Sequence, residues 1–133
     1  MKSFALIPFL VVLYSSNPRP GIEWNKTSVD FGKVKQGDTL YARFKYYNRS
    51  DTGFTIENIQ ASCGCVLSKW NNNTLAIGDS AEIQVAFDTH HKNKYHEKTI
   101  NIYSSHGLYE LIIKANIEKQ WVISARYLFN FEM

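Results

Sequence analysis

Apolar and polar residues alternate at every second position through most of the chain after residue 20. The clearest case is Thr39–Asn48, in which Leu40, Ala42, Phe44 and Tyr46 fall on one side of an extended chain. A period of two predicts strands with one face buried. The same signal predicts further strands at 22–25, 29–34, 80–87, 96–103 and 108–117, a strand through Phe54, Ile56 and Ile59, and a brief one at Leu75–Ile77.

Turn-forming residues separate these segments. Gly37 lies in a predicted turn at Lys35–Asp38, and polar stretches at Asn48–Gly53 and Ser104–Gly107 mark two more. No window shows a sustained helical stripe. About seven short strands in about 100 residues are typical of an all-β, immunoglobulin-like antiparallel β-sandwich, and a small closed barrel is the alternative.

The first twenty residues differ from the rest. Lys2 precedes an uncharged apolar run at Phe4–Tyr14, which is followed by polar residues and by Pro18 and Pro20. The run is shorter than the roughly 20 residues that span a membrane, so it predicts a signal peptide or, if uncleaved, a short anchor. The predicted organisation is therefore a leader at 1–20, a sandwich domain at 21–119 and a tail at 120–133. We expect a secreted or periplasmic protein of the cell envelope, with membrane contact only through an uncleaved leader.

The tail carries its own alternating pattern, in which Trp121, Ile123, Ala125, Tyr127, Phe129 and Phe131 occupy one side. This pattern predicts an amphipathic strand. The favoured interpretation is an extra edge strand on the protein's own sheet. The alternative is a strand offered to a partner by β-augmentation.

The charge of the chain argues against nucleic acid as a partner. The formal charge is +3, but Lys2 and Arg19 lie in the leader, so the 15 basic residues fall to 13 against 12 acidic ones in the remainder. No basic patch is left to predict binding to nucleic acid or to anionic lipid.

The two cysteines, Cys63 and Cys65, are the most distinctive chemical feature. On a flat strand, residues two apart lie about 6.6 Å from each other, whereas the Cβ atoms of a disulfide need roughly 3.5–4.5 Å. Gly64 permits a bend that could bring the sulfurs together. A disulfide here would close a very small loop, so it would stabilise the fold little and carry strain.

The same pair in reduced form suits a soft metal. Two thiolates on one side favour Cu(I) or Zn(II), and zinc would need further ligands, for which the candidates are His90, His91, His96 and His106. No metal-binding spacing joins these histidines to Cys63 and Cys65, and a histidine group on a polar loop is usually solvated surface. Thiol exchange is a third alternative, although it needs a cation or helix end to lower the thiol pKa. The favoured interpretation is that Cys63 and Cys65 are small, buried or locally bridged residues that shape a bend in the strand.

Several segments together resemble a known family. They include Asp30-Phe31-Gly32, Gly37-Asp38, Ser62-Cys63-Gly64-Cys65, Gly78-Asp79 and Phe87-Asp88. This order is similar to the bacterial secreted domains grouped as domain of unknown function 1573, which are related to Hydin-like and PapD-like immunoglobulin folds. The match covers about residues 27–117. The resemblance implies an exported immunoglobulin-like sandwich, and it implies no activity.

The sequence favours a non-enzymatic role. It contains no hydrolase, nucleotide-binding or metalloprotease motif. We therefore expect a binding or structural module of the cell envelope that needs no cofactor and contacts envelope proteins through edge strands. The alternative is a copper- or zinc-binding or thiol-redox protein that uses Cys63 and Cys65.

Overall fold

A computed structural model describes residues 21–120, and they form strands without any helix. The eight strands are β1 (Ile22–Trp24), β2 (Ser28–Lys35), β3 (Thr39–Asn48), β4 (Ile56–Ala61), β5 (Val66–Lys69), β6 (Ser80–Asp88), β7 (Lys94–Ser104) and β8 (Gly107–Glu118). No helix in this part of the chain is long and apolar enough to cross a membrane. The predicted leader at 1–20, and the predicted tail strand from residue 121 onward, lie outside the described residues.

The strands form two four-stranded sheets. Sheet A has the order β1-β3-β6-β5, and sheet B has the order β2-β8-β7-β4. The two sheets share no strand pairing, so the sandwich is confirmed over the closed barrel. All pairs are antiparallel except β2 with β8, which is parallel and differs from the uniformly antiparallel arrangement expected.

The predicted alternation places the core correctly. Ala42, Phe44 and Tyr46 of β3 are buried, and the same holds for alternate residues of β6 and β8. A large apolar side chain that is fully buried, such as Phe44, contributes about 1.5–3 kcal/mol, because its apolar surface leaves water. The fifteen buried hydrophobic residues form one cluster between the two sheets.

One predicted strand is absent from residues 21–120, and one observed strand was not predicted. Leu75–Ile77 was expected to form a strand, but Leu75 makes only an isolated bridge to Phe54. β5 was missed, because four residues are too few for a periodic signal to stand out.

Two predicted turns contain a glycine with a positive φ angle. Gly37 has a φ of 100° between β2 and β3, and Gly107 has a φ of 110° where β7 and β8 are joined. L-residues rarely adopt these angles, so glycine is the residue that these turns require.

Candidate functional site

The cysteines lie where the chain crosses from sheet B to sheet A. β4 is an edge strand of sheet B and β5 is an edge strand of sheet A, and residues 62–65 connect them. Cys63 and Cys65 form a disulfide with their Cα atoms 5.2 Å apart. That separation is shorter than the flat-strand value, so the chain bends at this corner.

Backbone hydrogen bonds attach the corner to both sheets. The Ser62 amide donates to the Thr99 carbonyl oxygen of β7 over 2.9 Å. On the other side, the Asp88 amide of β6 donates to the Cys65 carbonyl oxygen over 2.9 Å. Both cysteines are half-buried against the core, whereas Gly64 is exposed. The disulfide therefore lies within the connection that joins the two layers at one corner of the sandwich.

The four candidate histidine ligands do not gather around the cysteines. His90 bonds to Asp88, and His96 bonds to the Asn93 carbonyl oxygen. His106 lies at the opposite end of the sandwich, where it bonds to Thr52. Across residues 21–120, no three His, Cys, Asp or Glu side chains are grouped to hold a metal ion. Metal binding by Cys63 and Cys65 stays a prediction.

The Asp88–His90 contact has an electrostatic consequence. The Asp88 carboxylate accepts hydrogen bonds from the His90 amide at 2.9 Å and from the His90 ring at 2.6 Å. These bonds favour the ionised carboxylate, so they lower the pKa of Asp88.

The outer face of sheet A carries an open groove of about 190 Å³ that runs along β6. Its first row has Ala86 as a floor, with Tyr41 of β3 on one side and Leu67 of β5 on the other. Tyr41 is 74% exposed and Leu67 is 71% exposed. Side chains this apolar usually avoid such exposure on both sides of a small residue, so this row is a candidate contact surface.

The next row of the groove is polar and basic. Gln84 forms its floor and Lys69 of β5 lines one side, while Arg43 of β3 lies on the other side of Gln84 in the strand register, next to the residues that line the groove. Within residues 21–120, neither Arg43 nor Lys69 takes part in an ion pair. Two positive charges therefore lie beside Gln84, two residues along each strand from the apolar row.

A second opening of about 240 Å³ continues the groove beyond Gln84 and Lys69, which line both openings. It is lined further by Trp70, Asn71 and Glu82. The Glu82 carboxylate accepts a hydrogen bond from the Gln84 amide over 2.9 Å and lies opposite Lys45 in the strand register. Glu82 therefore places one negative charge beside the two positive charges of the middle row, so that the three side chains together carry one net positive charge.

Sequence reasoning missed this groove. Its residues come from three strands, and one of these, β5, was not predicted. The available signal was Leu67, because an apolar residue that alternates with the buried Val66 must point outward.

Comparison with known proteins identifies the family. The sequence profile described as protein of unknown function DUF1573 matches residues 22–117. The chain belongs to the DUF1573 family. The predicted resemblance is thus confirmed, and the matched range takes in both the cysteine corner and the groove. No curated protein matches the sequence.

Solved structures share the fold of this DUF1573 chain. A protein of unknown function from Porphyromonas gingivalis W83 aligns with a TM-score of 0.62 at 16% identity, over 74% of this chain and 47% of that one. The secreted serine protease VesC from Vibrio cholerae aligns with a TM-score of 0.58 at 16% identity, over 74% of this chain and 23% of that one. This chain thus covers less than half of either structure.

The human CEP192 ASH/PapD-like domain 7 aligns almost end to end. Its TM-score is 0.63 at 9% identity, over 89% of this chain and 99% of the domain. At such low identity the likeness shows the fold alone. It confirms the immunoglobulin-like sandwich fold expected for this DUF1573 chain.

Proposed function

We propose that this protein is an exported, non-enzymatic binding module of the bacterial cell envelope, which contacts another envelope protein through the outer face of sheet A beside the β5 edge. The observation that carries the proposal is the exposure of Tyr41 and Leu67 on either side of Ala86. Keeping two large apolar side chains in water is unfavourable, and a partner that covers them removes this cost. The leader pattern of residues 1–20 supports export.

A photo-crosslinking experiment tests the contact. p-Benzoylphenylalanine is placed at position 67 and, as a matched control, at position 108. Both positions hold exposed leucines, but Leu108 lies on β8 of sheet B and is 61% exposed. We expect a discrete adduct in intact cells at position 67 and none at 108, and loss of the adduct when Ala86→Lys fills the groove. Equal adducts at both positions, or none at 67, would contradict the proposal.

Export has a separate test. An alkaline phosphatase fusion to the full chain is active only outside the cytoplasm, where its disulfides form. We expect activity from the intact fusion and loss of activity when the apolar run Phe4–Tyr14 is deleted. An inactive intact fusion that accumulates in the cytoplasm would rule out export.

A second candidate function is soft-metal binding or thiol exchange at Cys63 and Cys65. The observation in its favour is that the disulfide flanks the exposed Gly64 at a corner of the fold. An external dithiol that reduces this bond would itself be oxidised to a disulfide. Two thiols would be left, a donor set that suits Cu(I) or Zn(II).

Thiol titration with and without reductant, together with elemental analysis of protein purified without chelator, tests this candidate. We expect two titratable thiols after reduction and bound metal only in the reduced protein. Cys63→Ser/Cys65→Ser should abolish both signals. Metal content that is the same in the double variant would exclude the cysteines as ligands.

A further inference from the structure

The groove along β6 has an apolar row followed by a basic row, and this order limits which ligands fit it. Its first row places an apolar side chain on each side of Ala86. In its second row, Lys69 lines the groove beside Gln84, and Arg43 lies on the other side of Gln84 in the strand register, next to the residues that line the groove. The two rows are one two-residue step apart on each strand, which is about 6.6 Å. An occupant that satisfies both rows carries an apolar group and an anionic group at about this separation.

The width of the groove sets how the anionic group is held. β3 and β5 lie on opposite sides of β6, so their backbones are about 9.6 Å apart. A carboxylate above Gln84 is therefore within reach of the long side chains of both Arg43 and Lys69. A carboxylate held between two cations binds more strongly than one beside a single exposed cation, because both charges act on it.

The other charges on this face do not remove the preference for an anion. Glu82 lies opposite Lys45, and the Asp88 carboxylate is bonded to His90 at the end of the groove. These two acids instead limit the register, since an anionic group one row from Gln84 in one direction would reach Glu82, and one two rows away in the other direction would reach Asp88.

We propose that the groove binds an extended peptide segment of a partner protein that has an apolar residue and an acidic residue two positions apart. The apolar side chain covers Ala86 between Tyr41 and Leu67, and the carboxylate lies between Arg43 and Lys69. An extended peptide fits because alternate side chains on one face repeat at the spacing of the two rows. The second opening beyond Lys69 gives the segment room to continue. This inference rests on the proposed binding function and specifies its partner.

The test uses the full chain and three fluorescent seven-residue peptides. The first contains Leu and Glu two positions apart among Ser and Thr. The second has Gln in place of Glu, and the third has Ser in place of Leu. We expect the first peptide to bind at least five-fold more tightly than either of the others by fluorescence anisotropy. Binding should weaken as NaCl rises from about 50 to about 500 mM, because exposed ion pairs are screened.

Variants locate the site. Lys69→Glu and Arg43→Glu each change an exposed strand residue, and each should weaken the first peptide at least ten-fold. Lys26→Glu is the matched control, since Lys26 is exposed on the connection between β1 and β2, and its affinity should equal that of the wild type. Circular dichroism checks that each variant is folded.

Three results would overturn the inference. In the first, the Leu–Glu and Leu–Gln peptides bind equally well. In the second, Lys26→Glu weakens binding as much as Lys69→Glu does. In the third, an acidic oligosaccharide such as oligogalacturonate binds and the peptides do not. If the peptides fail while the adduct at position 67 still forms in cells, the peptide preference is wrong and the binding function stands. If that adduct is absent as well, both fail.

Discussion

The side-chain amide of Asn48 donates a hydrogen bond to the carbonyl oxygen of Leu75 over 3.0 Å, between residues 27 positions apart in the chain. The same amide donates to the Thr52 carbonyl oxygen over 2.8 Å, and its oxygen accepts from the Ser50 amide over 3.0 Å. Asn48 is fully buried. One side chain thus holds the turn after β3 against the loop before β6, at the end of the sandwich opposite the cysteines.

We expect Asn48→Ala to lower the free energy of unfolding by about 3–4 kcal/mol, because it removes these three hydrogen bonds and leaves the buried Ser50 amide without its acceptor. Urea denaturation measures the change. Asn58→Ala is the matched control, since Asn58 is exposed on β4, and it should stay within about 0.5 kcal/mol of the wild type. Equal losses in the two variants would show that the hydrogen bonds of Asn48 are not the cause.

Thr89 has a comparable role at the cysteine end. Its buried hydroxyl donates to the Asp38 carbonyl oxygen over 2.6 Å and accepts from the Gly37 amide over 3.0 Å. Thr89→Val keeps the shape and removes both bonds, so we expect a loss of about 2–4 kcal/mol in urea denaturation. Thr39→Val on the exposed side of β3 should change the unfolding free energy by less than about 0.5 kcal/mol. A neutral Thr89→Val would contradict the assignment.

Gly64 was expected to permit the bend between the cysteines, but the structure does not require glycine there. Its φ is outside the left-handed region, and no atom lies within 4 Å of an added Cβ. We expect Gly64→Ala to leave stability unchanged or raise it by up to about 1 kcal/mol. Gly107→Ala, at a φ of 110°, should cost about 1–3 kcal/mol. Thermal and urea unfolding compare the two, and the reverse order would refute this reasoning.

The Cys63–Cys65 disulfide should contribute little to global stability. Closing a loop of three residues removes little entropy from the unfolded chain, at most about 1.6 kcal/mol. We therefore expect Cys63→Ser/Cys65→Ser to fold and to lose no more than this in urea denaturation. Reduced wild type provides the second measurement. A loss above about 3 kcal/mol in both the double variant and the reduced wild type would mean that the disulfide makes a large contribution to global stability.

The lowered pKa of Asp88 predicts a pH dependence. Its stabilising effect is fully present above the unfolded-state pKa of about 3.9 and is lost as pH falls through the lower pKa of the folded state. Asp88→Asn should therefore be less stable than the wild type at neutral pH, and the difference should shrink in acid. Urea unfolding between about pH 7 and about pH 2 tests this. Asp51→Asn is the control, because it removes an exposed aspartate from another turn. A stability difference between Asp88→Asn and the wild type that does not change with pH would refute the mechanism.

The class of fold was predictable from the order of residues, because burial on one face of a strand imposes a period of two that is readable along the chain. The sequence placed β3 at Thr39–Asn48, the inward positions of β3 and β6, and the glycine turns at Gly37 and Gly107. It also identified the cysteine pair and the DUF1573 family. These features are local, since each depends on residues that are neighbours in sequence.

Which local elements meet became known from the folded chain. The parallel pairing of β2 with β8, the burial of Asn48 and the separation of His106 from His90 depend on contacts between distant segments. The groove depends on them most, because Tyr41, Ala86 and Leu67 form one row only after β3, β6 and β5 align in register. A period of two shows that Leu67 points outward, but strand order and register determine what lies beside it.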